Sequence, residues 1–171
     1  VGPSYGSGTS GYNGILEILY LSPGQYNLTA YPNYYQNLLS NSTLVNVSVA
    51  KMSSAELILP IAGKFIGKIT ANSTPVFGAY VYVTGPVTGS YYTGIYGNYE
   101  ITKLTTGTYN VTASPPPELN LTPVSKSVSI ALGETKVLDI DLLAVSPAFV
   151  CGDVNGNKQV NLADIVYLVN Y

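Results

Sequence analysis

Oxygen-bearing side chains recur at alternate positions near the end of the chain, in the segment DVNGNKQVNLAD (153–164). Counted as a twelve-residue loop, the segment places side-chain ligands at positions 1, 3, 5, 9 and 12 and a backbone carbonyl at position 7, from Asp153, Asn155, Asn157, Asn161, Asp164 and Gln159. Calcium takes six to eight oxygen ligands, and this spacing wraps them around one point. The sequence therefore predicts a calcium site, the alternative being an Asx-rich turn without metal.

The residues after this loop form an apolar stripe at helical spacing, namely Leu162, Ile165, Leu168 and Val169. A loop that runs into such a helix resembles one half of a type I dockerin module, whose loop also ends in Asp. The resemblance implies calcium binding and docking to a cohesin. Several departures stand against it. Lys158 replaces the Gly of the sharp turn, Asn157 stands where Asp is usual, and Leu162 and Ala163 stand where dockerins often carry the hydroxyls that contact the cohesin. The chain also contains one such repeat where dockerins have two.

Composition excludes several classes of function. Charged residues make up 9% of the chain, against about 25% in an average soluble protein. The net charge is −2 and all seven basic residues are Lys, so a nucleic-acid partner is not expected. There is no run of ~20 apolar residues, so no membrane span is expected. Cys151 has no second cysteine to pair with inside the chain.

The side chains needed for common catalytic sites are missing from the sequence. The chain contains no His, which removes the Ser-His-Asp arrangement, the usual zinc sites and a base for Cys151. Its five Glu residues are spread one per turn or strand, and no Gly-rich phosphate loop is present. We therefore expect a protein that is not an enzyme.

Asn-x-Ser/Thr sequons are unusually frequent, at Asn27, Asn41, Asn46, Asn72, Asn110 and Asn120. Sequons accept N-linked glycans only in a secreted chain, so they predict an extracellular glycoprotein. The alternative is that Asn and Thr are simply common in exposed strands. A surface with so few charges needs another means of remaining soluble. Glycans could provide it, or neighbouring copies could cover much of the surface.

An internal repeat links residues 13–32 with residues 96–115 at an offset of 83. The following segments, 44–61 and 125–142, align at an offset of 81, which predicts a loop two residues shorter in the second copy. In GTYNVTA, Tyr109, Val111 and Ala113 share one face and Asn110 and Thr112 the other, as in a strand with one buried face. Turn residues recur every 8–12 positions, which is typical of a β-sandwich.

The second copy resembles the carboxypeptidase regulatory-like domain. The residues that carry the resemblance are Pro75, Gly78, Ala79, Val81 and Val83, then Thr93, Gly97 and Tyr99, then Leu104, Gly107, Tyr109, Val111 and Ala113. Gly94 replaces the Asp of that family's turn. The resemblance implies a seven-stranded prealbumin-like (Ig-like) sandwich that serves as a structural or adhesive spacer and has no catalytic residues.

These features predict an all-β fold of tandem sandwiches in three parts. Residues 1–61 form a partial sandwich (the first unit), residues 62–146 a complete one (the second unit), and residues 147–171 a calcium loop and helix. Residues 1–12 are too rich in Gly and Ser to supply the two strands that precede the same turn in the second unit. The missing strands would come from an upstream segment or from another chain.

The expected function is that of an extracellular structural subunit. The sparse charge and abundant Tyr, Asn, Ser and Thr resemble archaeal surface-layer and pilus proteins. We expect copies of the chain to assemble into a glycosylated filament or layer through strand or domain complementation at their ends. One alternative is a dockerin-bearing module of a secreted cellulosome-like or adhesion protein that docks a cohesin-like partner. Another is a carbohydrate-binding spacer that uses loop tyrosines such as Tyr35 and Tyr92.

Calcium titration of the full chain tests the predicted loop. With two formal negative charges the site should bind with a Kd of about 0.1–1 mM. Asp153→Asn and Asp164→Asn should each weaken binding roughly tenfold, because each removes a charged ligand. Glu118→Gln, outside the loop, is the matched control and should leave the affinity unchanged. Equal affinity in all four proteins would contradict a calcium site at 153–164.

Overall fold

A computed structural model describes residues 4–144 and Val160. All regular structure in residues 4–144 is β-strand, which confirms the predicted all-β class. The strands, in chain order, are β1 (Gly24–Ala30), β2 (Asn41–Val47), β3 (Gly63–Ala71), β4 (Thr74–Pro75), β5 (Tyr80–Thr84), β6 (Gly89–Tyr92), β7 (Asn98–Leu104), β8 (Gly107–Ser114), β9 (Leu121–Thr122), β10 (Val124–Ile130), β11 (Thr135–Val137), β12 (Ile140–Asp141) and β13 (Leu143–Ala144).

The part of the chain that the structure describes contains no helix able to cross a membrane. The predicted calcium loop and helix lie outside the described residues, apart from Val160, so they stay predictions. The division of the chain at residues 61/62 and 146/147 likewise remains a prediction.

Strands β3 to β13 build a β-sandwich in the second unit. One sheet has the order β10-β8-β5-β6. The other is organised around β3, which pairs antiparallel with β7 and β4 and in parallel with β11 and β12. One core cluster contains residues of both sheets, among them Phe65 and Ile69 of β3, Val81 of β5 and Val111 of β8, so the sheets pack face to face.

Strand β8 shows how the alternating pattern is used. Tyr109, Val111 and Ala113 are fully buried and pack in the core, as the sequence predicts. Asn110 is exposed on the opposite face. Thr112 shares that outer face, as the alternation predicts, but is only 6% exposed. Strands β5 and β10 flank β8 on both sides and limit the access of water to a short side chain in its middle.

A buried hydroxyl ties the turn after β6 to the start of β5. The Thr93 hydroxyl donates to the Val76 carbonyl oxygen at 2.6 Å and accepts the Ala79 N–H at 2.9 Å. The Thr93 backbone N–H also donates to the Ala79 carbonyl at 3.0 Å. A Thr at this position of the motif therefore satisfies buried backbone groups that an apolar residue would leave without partners.

The parallel edge of β3 requires close backbone approach at Gly67. A Cβ at that position would lie against the Leu138 carbonyl, within the segment that joins β11 to β12. The Tyr99 hydroxyl donates to the same carbonyl oxygen at 2.7 Å. Burial, and to a smaller extent the charge of Asp139, raises the pKa of Tyr99 well above its usual value, so this phenol stays protonated and keeps donating.

Two Gly→Ala substitutions separate close packing from chain flexibility. Gly67→Ala should lower the free energy of unfolding by roughly 3 kcal/mol, because the new methyl group collides with backbone that cannot move aside. Gly94→Ala meets no atom within 4 Å and should be neutral or stabilising by about 0.5 kcal/mol. Denaturant unfolding of both variants checks this. Equal stability of the two would contradict the parallel β3 register.

Candidate functional site: an open sheet face in the first unit

The first unit repeats the strand pairing of the second at an offset of 83 residues. Gly24 pairs with Val47 between β1 and β2, and Gly107 pairs with Ile130 between β8 and β10. Both hairpins therefore have connections of the same length, and the predicted offset of 81 for the second half of the repeat is wrong. Alternating strands match themselves at a shift of two residues, so sequence similarity alone misplaced this register.

The two units share the same local hydrogen bonds. The Tyr26 hydroxyl donates to the Ser22 carbonyl at 2.8 Å, and the Tyr109 hydroxyl donates to the Thr105 carbonyl at 3.0 Å. Each bond links a strand tyrosine to the backbone four residues earlier, just ahead of the strand. The conformation of the first unit is thus locally that of the complete sandwich.

Hydroxyl pairs and backbone angles follow the same correspondence. Thr29 shares a hydrogen bond of 2.8 Å with Ser42, and Thr112 shares one of 2.8 Å with Ser125. Positive φ angles occur at both members of four equivalent pairs: Gly14 and Gly97, Tyr20 and Lys103, Gly24 and Gly107, and Ala50 and Gly133. The repeat is therefore structural as well as sequential.

Two segments of the first unit are not strands although their counterparts are. Residues 15–21 correspond to β7, and residues 52–58 correspond to β11 and β12. In the second unit β7, β11 and β12 all pair with β3. The described part of the first unit has no strand in the position of β3, so neither segment has a strand to pair with. β1 and β2 form because they pair with each other.

The missing pairing leaves an apolar surface, here called the open face, made of Leu16, Ile18, Leu21, Tyr26, Leu28 and Ala30. None of residues 4–61 is buried. At equivalent positions, Leu16 is 41% exposed whereas Tyr99 is 3% exposed. The residues that build a core in the second unit are present in the first but are at most partly covered. A partly covered apolar face next to free strand edges is a candidate site for association with a further strand.

Asn37 joins the two units through three hydrogen bonds. Its side-chain amide donates to the Ala62 carbonyl at 2.8 Å, and its side-chain oxygen accepts the Lys103 N–H at 2.8 Å. Its backbone carbonyl accepts the Ala62 N–H at 2.9 Å. Sequence reasoning missed this residue because a single Asn in a polar loop carries no pattern. Its one signal was Asn120, which occupies the same position of the repeat.

The predicted glycan acceptors are all exposed and are distributed over both units. Asn27 lies on β1, Asn41 and Asn46 lie on β2, and Asn110 lies on β8. Asn72 lies in the β3–β4 turn, and Asn120 lies just ahead of β9. The structure does not gather them into one site. Tyr35 and Tyr92, predicted as sugar-stacking residues, are also exposed but pack with different neighbours, Tyr34 at 5.5 Å and Tyr80 at 4.9 Å between ring centroids.

Carboxylates of the second unit are used in structural bonds. Asp139 accepts the backbone N–H of Lys68 at 2.8 Å, and Glu100 pairs with the ammonium group of Lys64 at 2.9 Å. Among the described residues no group of three or more His, Cys, Asp or Glu side chains is placed to hold a metal. The predicted calcium ligands Asp153, Asn155, Asn157, Gln159, Asn161 and Asp164 lie outside the described residues.

The chain matches no family model and no curated protein. Among solved structures, it is similar to the TIE protein of Bacillus anthracis, with 20% identity, a TM-score of 0.42 and coverage of 63% of this chain and 20% of that one. A Streptococcal ancillary pilin is 12% identical, with a TM-score of 0.44 and coverage of 76% and 49%. The chain thus spans about a fifth and about half of the lengths of these two proteins.

A third similar structure is a complex of a type II cohesin with an X-module and dockerin from Acetivibrio cellulolyticus. It is 20% identical, with a TM-score of 0.34 and coverage of 63% of this chain and 72% of that one. All three TM-scores lie below 0.5, so the likeness is distant.

The same substitution at equivalent repeat positions tests whether the open face lacks a core. Ile101→Asp should unfold the second unit, at a cost of about 4 kcal/mol or more, because it buries a charge. Ile18→Asp should cost less than about 1 kcal/mol, because Ile18 is only partly covered. Thermal unfolding of both variants supplies the comparison. Similar losses at the two positions would show that the first unit has a closed core of its own.

Proposed function

We propose that this chain is a non-enzymatic structural module of a glycosylated extracellular filament or layer. In this proposal the first unit is completed by a strand from outside residues 4–144. The supporting observation is the juxtaposition of two units of the same fold, of which the second is closed and the first is open. Tandem units that depend on contacts beyond themselves suit a continuous assembly better than an isolated globule.

The surface is consistent with an extracellular role. Six exposed sequons are spread over a chain with only 9% charged residues. Glycans at these positions would keep the surface hydrated where charged side chains are few. Exposed apolar and aromatic side chains such as Tyr12, Tyr31 and Phe77 supply further area for contact with neighbouring copies.

The predicted calcium loop has a place in the same proposal. Bound calcium would hold the loop and its helix in one conformation, and the apolar stripe of that helix would pack on a neighbouring domain or copy. Calcium would then stiffen the connection between successive modules. A cohesin-like partner remains the alternative for this segment.

Electron microscopy and analytical ultracentrifugation of the secreted, glycosylated protein test the proposal. We expect elongated particles or polymers in the presence of calcium and shorter ones after chelation, because the loop would lose its fixed conformation. Enzymatic removal of the glycans should reduce solubility. A compact monomer with and without calcium would refute the proposed function.

A further inference from the structure

We infer that the open face is completed by a polypeptide segment of the type seen at residues 62–83, and that this segment is joined directly ahead of residue 1. The inference rests on the proposed function only in treating the chain as a structural module. The segment that would complete the open face is here called the occupant. The second unit shows what it would look like, because there β3 and β5 complete the equivalent face.

The repeat extends towards the start of the chain beyond residue 13. Residues 1–14, VGPSYGSGTSGYNG, align at the same offset of 83 with residues 84–97, TGPVTGSYYTGIYG. The identical pairs are Gly2 and Gly85, Pro3 and Pro86, Gly6 and Gly89, Ser7 and Ser90, Gly11 and Gly94, and Gly14 and Gly97. The repeat therefore includes residues 1–12, although these residues do not supply the two strands that precede β6 in the second unit.

The structure places this early segment as it places β6. A Cβ added at Gly89 would lie 2.9 Å from Cγ2 of Ile101, and one added at Gly6 would lie 2.5 Å from Cγ2 of Ile18. Ile18 and Ile101 are themselves equivalent in the repeat. Ser4 fixes the same segment from its other end, since its hydroxyl accepts the Ser22 N–H at 3.1 Å. The first unit thus already has its counterpart of β6.

What remains without a counterpart in the first unit is the segment equivalent to residues 62–83. That segment contains β3, β4 and nearly all of β5. β3 is the partner of β7, β11 and β12, and β5 is the partner of β6 and β8. One added segment would therefore supply a partner to every element of the first unit that lacks one.

The chemistry of the occupant follows from the faces it must cover. β3 and β5 bring alternate apolar side chains to the core, with Phe65 and Ile69 on one strand and Val81 and Val83 on the other. β5 pairs with β8 from Thr84↔Asn110 to Tyr80↔Ser114. The free edge of β1, around Asn27, is the equivalent edge. The occupant is thus two strands with apolar residues at every second position.

The position of residues 4–10 decides how the occupant is connected. In the second unit, β5 ends at Thr84 and the chain continues into β6. Residue 1 is the repeat equivalent of Thr84. Because the β6 counterpart is already in place, a β5-type strand that enters beside it runs on into residue 1 without an extra connection.

An extended chain tests the inference. A second copy of residues 62–83 is added directly ahead of residue 1, and amide hydrogen exchange is followed by mass spectrometry. Exchange across residues 15–21 and 52–58 should slow at least about tenfold relative to the unextended chain, because these amides gain backbone partners. The matched control carries Phe65→Asp and Ile69→Asp in the added copy only and should give no protection.

Three outcomes would overturn the inference. The extended chain could leave residues 15–21 unprotected, or the control could protect them equally, which would mean that something other than a β3-type core strand covers the open face. A separate peptide of residues 62–83 could protect the unextended chain as well as the fusion does, which would assign the occupant to another molecule. Exchange can be measured on dilute, unassembled chains, so protection without filaments would refute only the proposed function.

Discussion

The architecture depends on one backbone requirement, namely that the amides and carbonyls of β3 be shared among several strands at once. β3 pairs antiparallel with β7 and β4 and in parallel with β11 and β12. Its Phe65 and Ile69 side chains pack in the core. Buried or strand-forming peptide groups need partners, so the presence of such a strand decides whether its neighbours are strands at all. The two units make this visible because equivalent segments of the repeat form strands beside β3 and stay irregular without it.

Much of the second unit could be predicted from sequence because its signals are local. Alternation in β8 identifies the buried Tyr109, Val111 and Ala113, and the Gly-rich turns separate the strands. The parallel addition of β11 and β12 to β3 could not be predicted, since it joins residues about seventy positions apart that carry no mutual pattern. The first unit was anticipated as incomplete, but the β6 counterpart within residues 1–12 was not recognised, because Gly and Ser conceal its strand pattern.

The surface of the molecule has few charged side chains and many neutral polar ones. Lys64 and Glu100 form one of two ion pairs among the described residues, whereas hydroxyl pairs such as Thr29 with Ser42 recur on the outer faces of both hairpins. Exposed ion pairs contribute little to stability, so the fold loses little by doing without them. The exposed Asn27, Asn46 and Asn110 lie on these same outer faces.

The parallel contact between β3 and β12 has a mechanical consequence. β3 is the first strand of the second unit and β12 lies near its end, and the two run in the same direction side by side. Tension applied between the two ends of the unit would load their hydrogen bonds, and those of β11, in shear, so that they must rupture together rather than one at a time. Resistance to such a pull is set by the rate of forced unfolding rather than by equilibrium stability. Units of this kind, held to their neighbours by Asn37 without a slack linker, would transmit a load along the chain while remaining folded.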